Sequence, residues 1–441
     1  MAQIADQLTV DRLGPLFRED AELTYKLKGY TGRLRVTVGE AAFDLVVDDA
    51  TVTAVEPATA DAARMTVTVP PDVLEDAVKP KPVPGTESLL LAAGRGAAVA
   101  GDLFADLAPY SGATARVYQL LRRAAGVSEN PLAPDQRDTP LFADTDTAVG
   151  RYVYVTARDV TYRVYYEEAG GGDEVILLQH TAGCDGRQWR HQLADPEFQS
   201  RYRLIAYDLP FHGRSNPPVG PRWWEEAYRP EPEWYWDFVV ALADALELDH
   251  PHFMGCSVGG QLALDLAAYR GDRFGAFFAL NGTLDNAMAG DPAVAGFNDL
   301  CRDNRVSTEL YGTGNFSATS PLGPEPYRRE IYWIYRSNFP GVYAGDNDYF
   351  MTGHDLTRGE PAFDTDRHPV YVIAGEYDPV ANHPEHGGPA VALRFPGIRF
   401  EMLEGLSHFA PTDDPIGFRA AIIPLLERGI AEYRAGAVAV R

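Results

Sequence analysis

Two regions of the chain differ in how apolar and polar residues follow one another. In the first region, four short segments alternate apolar with polar side chains or are rich in β-branched residues: 33–38, 43–47, 51–55 and 65–69. Helical patterns flank these segments at about 9–19, 71–79 and 113–124. The combination predicts half-buried antiparallel strands with helices on one face of the sheet. We therefore expect a small α+β domain over residues 1–125.

In the second region the apolar segments are continuous rather than alternating. They are residues 174–178, 202–207, 252–254, 276–280 and 370–374, after an antiparallel pair expected at about 151–157 and 160–167. Continuous runs are typical of strands that helices cover on both faces. Helical patterns such as 236–246 and 260–269 lie between the runs. The order predicts an α/β domain with a mostly parallel sheet over residues 151–441.

Residues 126–150 separate the two regions and have the composition of a linker. They contain three X-Pro pairs and five acidic residues, which disfavours packing into a core. The total of 441 residues agrees with two domains, because single cores stop growing at roughly 250–300 residues.

Charge and cysteine content narrow the classes of partner. The chain has 39 Lys and Arg against 63 Asp and Glu, a formal net charge of −24, so a nucleic acid is not expected as a partner. The three cysteines lie far apart at 184, 256 and 301, without the spacing of a disulfide framework or a zinc site. No apolar stretch is long enough to span a membrane, and no signal peptide is recognisable. We expect a cytoplasmic protein that needs no metal or organic cofactor.

The segment 255–260, Gly-Cys-Ser-Val-Gly-Gly, carries the strongest chemical signal. It stands between a predicted strand and a predicted helix, so it is a G-x-S-x-G sequence in the setting of a nucleophile elbow. The turn would strain the backbone of Ser257 and expose its hydroxyl, while flanking glycines leave room. The N–H of Val258 would lie at a helix N-terminus, where it can donate to a developing oxyanion. Cys256, one residue from the apex, is expected to be a buried spacer.

With these residues, the second region resembles the α/β-hydrolase family. Further similar segments are 177–183, 207–215, 375–379 and 405–409. The resemblance implies a catalytic triad of Ser257, Asp378 and His408 in the family's chain order, and it assigns His212 a structural role. A serine at 257 argues against the branches that use a carboxylate nucleophile.

The resemblance leaves two assignments open. His180-Thr181 stands where the family usually has His-Gly, so the second oxyanion donor is expected to be the N–H of Ala182, with Thr181 as the alternative. The acid of the triad is expected to be Asp378, after the 370–374 strand, although Asp285 follows the preceding strand and some family members use that position.

Residues 286–367 are too long for an ordinary α/β connection and are expected to form a cap. The segment contains twelve aromatic residues, and a second aromatic cluster begins at Trp223. We expect Trp223, Trp224, Trp333 and Tyr335 to bind substrate, although most of the cap aromatics would form the cap's own core. An aromatic pocket favours a bulky apolar or aromatic substrate.

The first region resembles sterol-carrier-protein (SCP2-like) domains. The similar segments are the strand 65–69, the helix from Pro71 to Val78 and residues 97–103. The resemblance implies an apolar tunnel that binds lipid or delivers an apolar substrate. The alternative is a structural or oligomerisation module with a filled core, which would allow a homo-oligomer.

Together these features predict a serine hydrolase that cleaves a carboxylic ester or lactone through an acyl-enzyme on Ser257. A carbon–carbon bond hydrolase or a thioesterase would use the same triad. A macrocyclic resorcylate-type lactone such as zearalenone is one specific candidate substrate. The competing class is a lipid-carrier or scaffold protein whose hydrolase unit is inert.

Overall fold

The computed structural model describes residues 8–128, 130, 146–303, 305–306 and 308–439. The chain divides into two compact units. One comprises Met1–Asn130 with Asp303–Leu322, and the other comprises Pro131–Arg302 with Gly323–Arg441. Most of the predicted linker, residues 129 and 131–145, lies outside the described residues.

The first unit is built on a five-stranded sheet in the order β3-β2-β1-β4-β5. Its strands are β1 (Gly32–Val38), β2 (Ala41–Asp48), β3 (Thr51–Pro57), β4 (Met65–Val69) and β5 (Ala98–Ala100). The expectation of a wholly antiparallel sheet is wrong in one place, since β1 and β4 pair in parallel. The reason is topological: β3 occupies one edge, so the chain returns to the far side of β1 and runs alongside it.

Helices cover the apolar face of this sheet. They are α1 (Val10–Arg18), α2 (Ala21–Lys26), α3 (Pro71–Ala77), α4 (Leu89–Ala92) and α5 (Ser111–Ala124). Alternate residues of the strands point into the core, as in β4, where Met65, Val67 and Val69 are fully buried. The side chains between sheet and helices, such as Leu13 and Val117, are also fully buried, so the unit has its own apolar core.

Part of the predicted cap groups with this first unit. The helix Thr308–Phe316 belongs to it, and Glu309 forms an ion pair with Lys26 at 3.1 Å. Gly112 leaves room for the Glu309 carboxylate, because a Cβ at that position would lie 1.9 Å from Oε1. The guanidinium of Arg305 also stacks on the ring of Phe104 at 3.6 Å. The expectation that residues 286–367 form one cap within the second domain is therefore corrected for 303–322.

The second unit contains an eight-stranded sheet in the order β13-β12-β11-β10-β8-β9-β7-β6. Its strands are β6 (Val149–Ala157), β7 (Val160–Ala169), β8 (Glu174–Gln179), β9 (Tyr202–Tyr207), β10 (His252–Cys256), β11 (Phe277–Leu280), β12 (Val370–Gly375) and β13 (Arg399–Leu403). The strands from β8 to β13 pair in parallel, and the β6–β7 hairpin extends the sheet antiparallel at one edge. The predicted α/β architecture is confirmed.

Helices lie on both faces of this sheet and above its carboxyl edge. In chain order they are α6 (Arg190–Ala194), α7 (Pro196–Arg201), α8 (Pro232–Ala245), α9 (Val258–Tyr269), α10 (Pro292–Cys301), α12 (Glu325–Arg336), α13 (Pro340–Asp348), α14 (Gly388–Arg394), α15 (Ala410–Asp413) and α16 (Pro415–Ala439). The number α11 is given to the helix Thr308–Phe316, which groups with the first unit. Two apolar clusters, one on each face, bury the sheet. The name cap is kept for α10, α12, α13 and the turn Tyr349–Gly353, which stand between β11 and β12. None of the helices in the described ranges is long and apolar enough to cross a membrane.

The ion pair between Asp20, at the start of α2, and Arg116 of α5 provides a test of what stabilises the first unit. Asp20 caps α2 by accepting from the N–H of Leu23 at 2.7 Å and pairs with the buried Arg116 at 2.7 Å. Burial raises the pKa of Asp20, but the bonds from Arg116 and Leu23 outweigh this effect and lower it. Its contribution is therefore present above the unfolded pKa and is lost as the pH falls through the lower folded value.

We expect Asp20→Ala to destabilise the first unit by about 3 kcal/mol near neutral pH, because it removes a cap and one partner of a buried cation. Hydrogen exchange of the α5 amides measures this change, and the difference from wild type should shrink on acidification. Asp72→Ala, an exposed carboxyl 3.9 Å from Arg95, is the matched control and should change little. Equal protection in Asp20→Ala and wild type would contradict the expectation.

Candidate active site

The turn between β10 and α9 holds Ser257 in a strained conformation. Its φ is 59° and its ψ is −113°, a region that residues with a Cβ rarely occupy. The flanking glycines are required by space: a Cβ on Gly255 would lie 2.2 Å from the carbonyl oxygen of Gly259. The N–H of Ser257 donates to the carbonyl of Leu280 at 2.8 Å, which ties the turn to β11. This is the strand–turn–helix geometry that the sequence motif predicts.

His408 and Asp378 are brought together as a hydrogen-bonded pair. The Nδ1 of His408 lies 2.6 Å from Oδ2 of Asp378. The other carboxylate oxygen accepts from the N–H groups of Val380 at 3.0 Å and Ala381 at 2.9 Å, so the turn after β12 holds the carboxylate in orientation. Asp378 is buried and His408 is partly exposed. An imidazole held in this way presents its other nitrogen, Nε2, for proton transfer.

The alternative acid, Asp285, pairs with a different histidine. Its Oδ1 lies 2.5 Å from Nδ1 of His386. The backbone supports this second pair, because the N–H of Leu284 donates to the carbonyl of His386 at 2.6 Å. The structure therefore separates the two candidate acids by partner: Asp378 contacts His408 and Asp285 contacts His386.

Asn281, which was not among the predicted site residues, links the turns that carry these groups. Its Nδ2 donates to the carbonyl oxygen of His408 at 2.8 Å, and its Oδ1 accepts from the N–H of Gly375 at 3.4 Å. The Sγ of Cys256 also donates to the His408 carbonyl, at 3.2 Å. Asn281 is buried and has a φ of +55°. An Asn-Gly pair directly after a predicted strand was the available sequence signal.

The backbone N–H groups of the loop after β8 differ in their partners. The N–H of Thr181 donates to Oε1 of Gln188 at 2.8 Å, and that of Gly183 donates to Oδ2 of Asp346 at 2.9 Å. The N–H of Cys184 donates to the Thr181 carbonyl at 3.1 Å. Within the described part of the chain, only Ala182 of these four has an N–H without an acceptor. This favours Ala182 over Thr181 as the donor to a reacting oxygen.

The predicted substrate-binding aromatics fall into two groups. Tyr335 is buried, its hydroxyl lies 2.7 Å from Oγ1 of Thr181, and its ring packs edge-on against Phe409. Trp223, Trp224 and Trp333 are 44%, 62% and 66% exposed. The structure brings Tyr335 to the site, but the three tryptophans do not form buried walls. Trp333 stands two residues from Tyr335 on α12, so the two side chains leave the helix on different faces.

His212 lies inside a buried polar network. Its Nε2 is 2.9 Å from Oδ2 of Asp346 and its Nδ1 is 3.0 Å from the carbonyl of Pro210. Burial lowers the pKa of His212, but the charge of Asp346 outweighs burial and raises it. The neighbouring His180 bonds to the backbone of Thr181 and Leu209, and burial lowers its pKa to about 4. Since both nitrogens of His212 are engaged, its contacts fit the structural role that the resemblance implies.

A polar cavity of about 240 Å³ lies beside the turn after β9. Asp185, Arg187, Asp208 and Arg214 contribute to its lining, and the predicted triad does not. Burial, together with the charge of Asp185, raises the pKa of Asp208 to about 7. Elsewhere in the described ranges, no group of three or more His, Cys, Asp or Glu side chains is arranged to hold a metal ion.

Comparisons with known proteins identify the family to which the second unit is similar. Residues 174–415 match the model of a family described as alpha/beta hydrolase fold. The chain is similar to 3-oxoadipate enol-lactonase 2 of Acinetobacter baylyi, with 25% identity over 300 residues, 66% of this chain and 99% of that protein. It is also similar to 2-hydroxy-6-oxononadienedioate/2-hydroxy-6-oxononatrienedioate hydrolase of Cupriavidus pinatubonensis, with 26% identity over 144 residues. That match covers 32% of this chain and 47% of the relative, so the chain spans about half of its length.

A solved structure shows the same fold. The enol-lactonase from Burkholderia xenovorans LB400 superposes with a TM-score of 0.51 and 21% identity. The superposition covers 62% of this chain and 99% of that structure.

The burial of Cys256 gives a test of the elbow geometry. Its thiol is fully buried beside Ser257, and burial raises its pKa. We expect Cys256 to resist iodoacetamide in the native protein at pH 8 and to react after denaturation, because the thiolate is the reactive form. Mass spectrometry of the labelled peptides measures this. Rapid native labelling of Cys256 would show that the sulfur, rather than only the hydroxyl of Ser257, is accessible in the turn.

Proposed function

The chain belongs to the α/β-hydrolase fold family, and on this premise we propose that it is a serine hydrolase that cleaves a carboxylic ester or lactone. The observation that carries the proposal is the Asp378–His408 hydrogen bond of 2.6 Å. The turn of the strained Ser257 contacts this pair through the neighbouring Cys256, whose Sγ lies 3.2 Å from the His408 carbonyl oxygen. A serine hydroxyl is a weak nucleophile near neutral pH and needs an oriented base. Asp378 would hold the imidazole in the tautomer that leaves Nε2 free to accept a proton.

The proposed reaction proceeds in two balanced steps. The Oγ of Ser257 forms a bond to the acyl carbon while its proton passes to His408, and the carbonyl oxygen becomes an oxyanion. The N–H groups of Val258 and Ala182 would donate to that oxyanion. The bond to the leaving oxygen then breaks and that oxygen takes the proton from His408. In the second step, water gives a proton to His408 and forms a bond to the acyl carbon. The bond between that carbon and Oγ then breaks, Oγ takes the proton back from His408, and the acid is released.

The substrate class is proposed as a bulky apolar or aromatic ester or lactone. The buried Tyr335, packed between Thr181 and Phe409, supports an aromatic surface next to the reacting groups. Similarity to a 3-oxoadipate enol-lactonase supports the lactone branch of this class. The exposure of Trp223, Trp224 and Trp333 means that they add little buried wall, so selectivity would depend on the residues around Tyr335.

A carbon–carbon bond hydrolase and a thioesterase are alternative functions of the same site. The three reactions differ in the leaving group, so the triad geometry does not separate them. A panel of matched oxygen esters, thioesters and vinylogous β-diketones with one common acyl group would do so. The highest kcat/KM on the oxygen esters would support the proposal. The highest kcat/KM on the diketones would instead assign the site to a carbon–carbon bond hydrolase.

For the first unit, we propose an SCP2-like module with a structural or oligomerising role. Its support is the apolar core, in which residues such as Leu13, Val36 and Val117 are fully buried between sheet and helices. A lipid carrier with an inert hydrolase unit is the competing proposal, and binding of a fluorescent fatty acid without fluorophosphonate labelling would favour it. We also propose a cytoplasmic location, because the three cysteines are free.

We expect Ser257→Ala to lower kcat by about 10⁴–10⁶-fold without unfolding the chain, because it removes the nucleophile of a cooperative triad. Hydrolysis of a chromogenic ester and labelling by a fluorophosphonate measure the loss. Cys256→Ala is the matched control one residue away, and it should keep activity within about tenfold of wild type, since its thiol donates to the backbone carbonyl of His408 and accepts a long bond of 3.5 Å from Asn281. Activity that persists in Ser257→Ala would refute the serine mechanism.

The two Asp–His pairs provide a second test. We expect Asp378→Asn to lower kcat by about 10⁴-fold, because an amide favours the wrong tautomer of His408. Asp285→Asn changes a carboxylate that lies 2.5 Å from another histidine, so it should lower kcat far less. The kcat values of both folded variants on one ester decide the point. A larger loss in Asp285→Asn would assign the acid to the turn after β11.

A further inference from the structure

A carboxylate of the cap reaches into the interior of the second unit. Asp346 lies in α13 and is fully buried. It accepts four hydrogen bonds: from the N–H of Gly183 at 2.9 Å, His212 at 2.9 Å, Tyr235 at 2.7 Å and Tyr228 at 3.2 Å. A buried charge is tolerated only when it is paired and hydrogen-bonded, and this one is both. The carboxylate therefore acts as a fixed anchor.

One of these four bonds goes to the loop that the mechanism needs. Gly183 directly follows Ala182, whose N–H is the proposed oxyanion donor. On the other side of Ala182, the hydroxyl of Thr181 lies 2.7 Å from the hydroxyl of Tyr335 in α12. Two cap helices thus hold the residues before and after Ala182.

The fit between α13 and the loop is tight at the backbone. Gly183 has a φ of +61°, and a Cβ there would lie 2.7 Å from the Cα of Tyr343. Only a glycine permits this approach. Gly345, within α13, also allows a close backbone contact, because a Cβ there would lie 2.2 Å from the carbonyl oxygen of Tyr228. The helix is therefore seated in one position against the loop.

We propose that Asp346 and Tyr335 are positioning residues that hold the oxyanion loop, residues 181–183, in the conformation that keeps the N–H of Ala182 available to the reacting oxygen. This inference rests on the proposed function and adds a role for the cap. The cap is then part of the catalytic arrangement as well as a cover. A hydrogen-bond donor displaced by about 1 Å can cost about 100-fold in rate.

A second buried carboxylate provides the matched control. Asp265 in α9 is also nearly fully buried, and it binds His354 at 2.8 Å, Tyr349 at 2.5 Å and Trp236 at 3.2 Å. Its partners include the cap turn Tyr349–Gly353, so it too fastens the cap to the core. None of these bonds involves residues 181–183. Asp265→Asn should therefore lower stability without changing the loop.

The test compares Asp346→Asn, Tyr335→Phe and Asp265→Asn in the full chain. The readouts are kcat and KM for p-nitrophenyl butyrate and the inhibition constant of a trifluoromethyl ketone. Such a ketone binds Ser257 covalently: Oγ forms a bond to the carbonyl carbon, the proton passes to His408, and the carbonyl oxygen becomes an oxyanion. The inhibition constant therefore reports on the same N–H donors as the transition state.

We expect Asp346→Asn to lower kcat by about 10- to 100-fold with KM within about threefold of wild type. The inhibition constant should rise by the same factor as kcat/KM falls. Tyr335→Phe should show the same pattern with a loss of about tenfold. Asp265→Asn should lower the melting temperature and leave kcat unchanged.

Wild-type kcat in a folded Asp346→Asn would overturn the proposal, and so would an equal loss in Asp265→Asn. If Asp346→Asn does not fold, Tyr335→Phe decides, since an unchanged kcat and inhibition constant there refute the role of the cap. The Ser257→Ala variant distinguishes failure of the proposed function from failure of this inference. Activity in Ser257→Ala removes the proposed function, whereas an inactive Ser257→Ala with a fully active Asp346→Asn removes this inference alone.

Discussion

The geometry of the site depends on backbone crowding at one strand-to-helix turn. Ser257 adopts its left-handed conformation because β10 must turn into α9 without any other residue between them. The turn closes only without side chains at three places. Cβ atoms on Gly255, Gly259 and Gly260 would meet Gly259, Gln179 and Leu280 at 2.2, 2.7 and 2.1 Å. The packing of the central strands therefore maintains the strained backbone of Ser257, and this turn fixes the position of the serine in the site.

The turns that follow three adjacent parallel strands supply the remaining groups. β10, β11 and β12 pair in register, so Ser257, Asn281 and Asp378 emerge at the same edge of the sheet. Asn281 connects these turns because it bonds both to Gly375 at the end of β12 and to the backbone of His408. The histidine is thus fixed twice, through its side chain by Asp378 and through its carbonyl by Asn281. A base held at two points loses little entropy when it reacts.

Buried charge, in addition to apolar contact, joins the cap to the core of the second unit. Asp346 and Asp265 each reach a histidine and at least one tyrosine inside the fold. Pairs of this kind contribute little net stability, but the loss of one partner is costly because the other charge stays buried. They therefore specify one position of the cap. The segment 303–322 departs from this scheme, since it groups with the first unit although both of its neighbours in sequence belong to the second.

The sequence by itself determined the properties that depend on local pattern. The order of strands and helices, the α/β architecture and the strand–turn–helix setting of Ser257 all follow from periodicity and from glycines at fixed spacing. Partner choice between distant residues was decided only by the tertiary structure. Asp378 and Asp285 both follow a strand and both meet a histidine, and the folded chain pairs the former with His408 and the latter with His386. Likewise, Tyr335 and Trp333 are both aromatic, but only helix packing buries one and exposes the other. Pairing across such distances depends on the summed packing of the whole chain, which no short segment encodes.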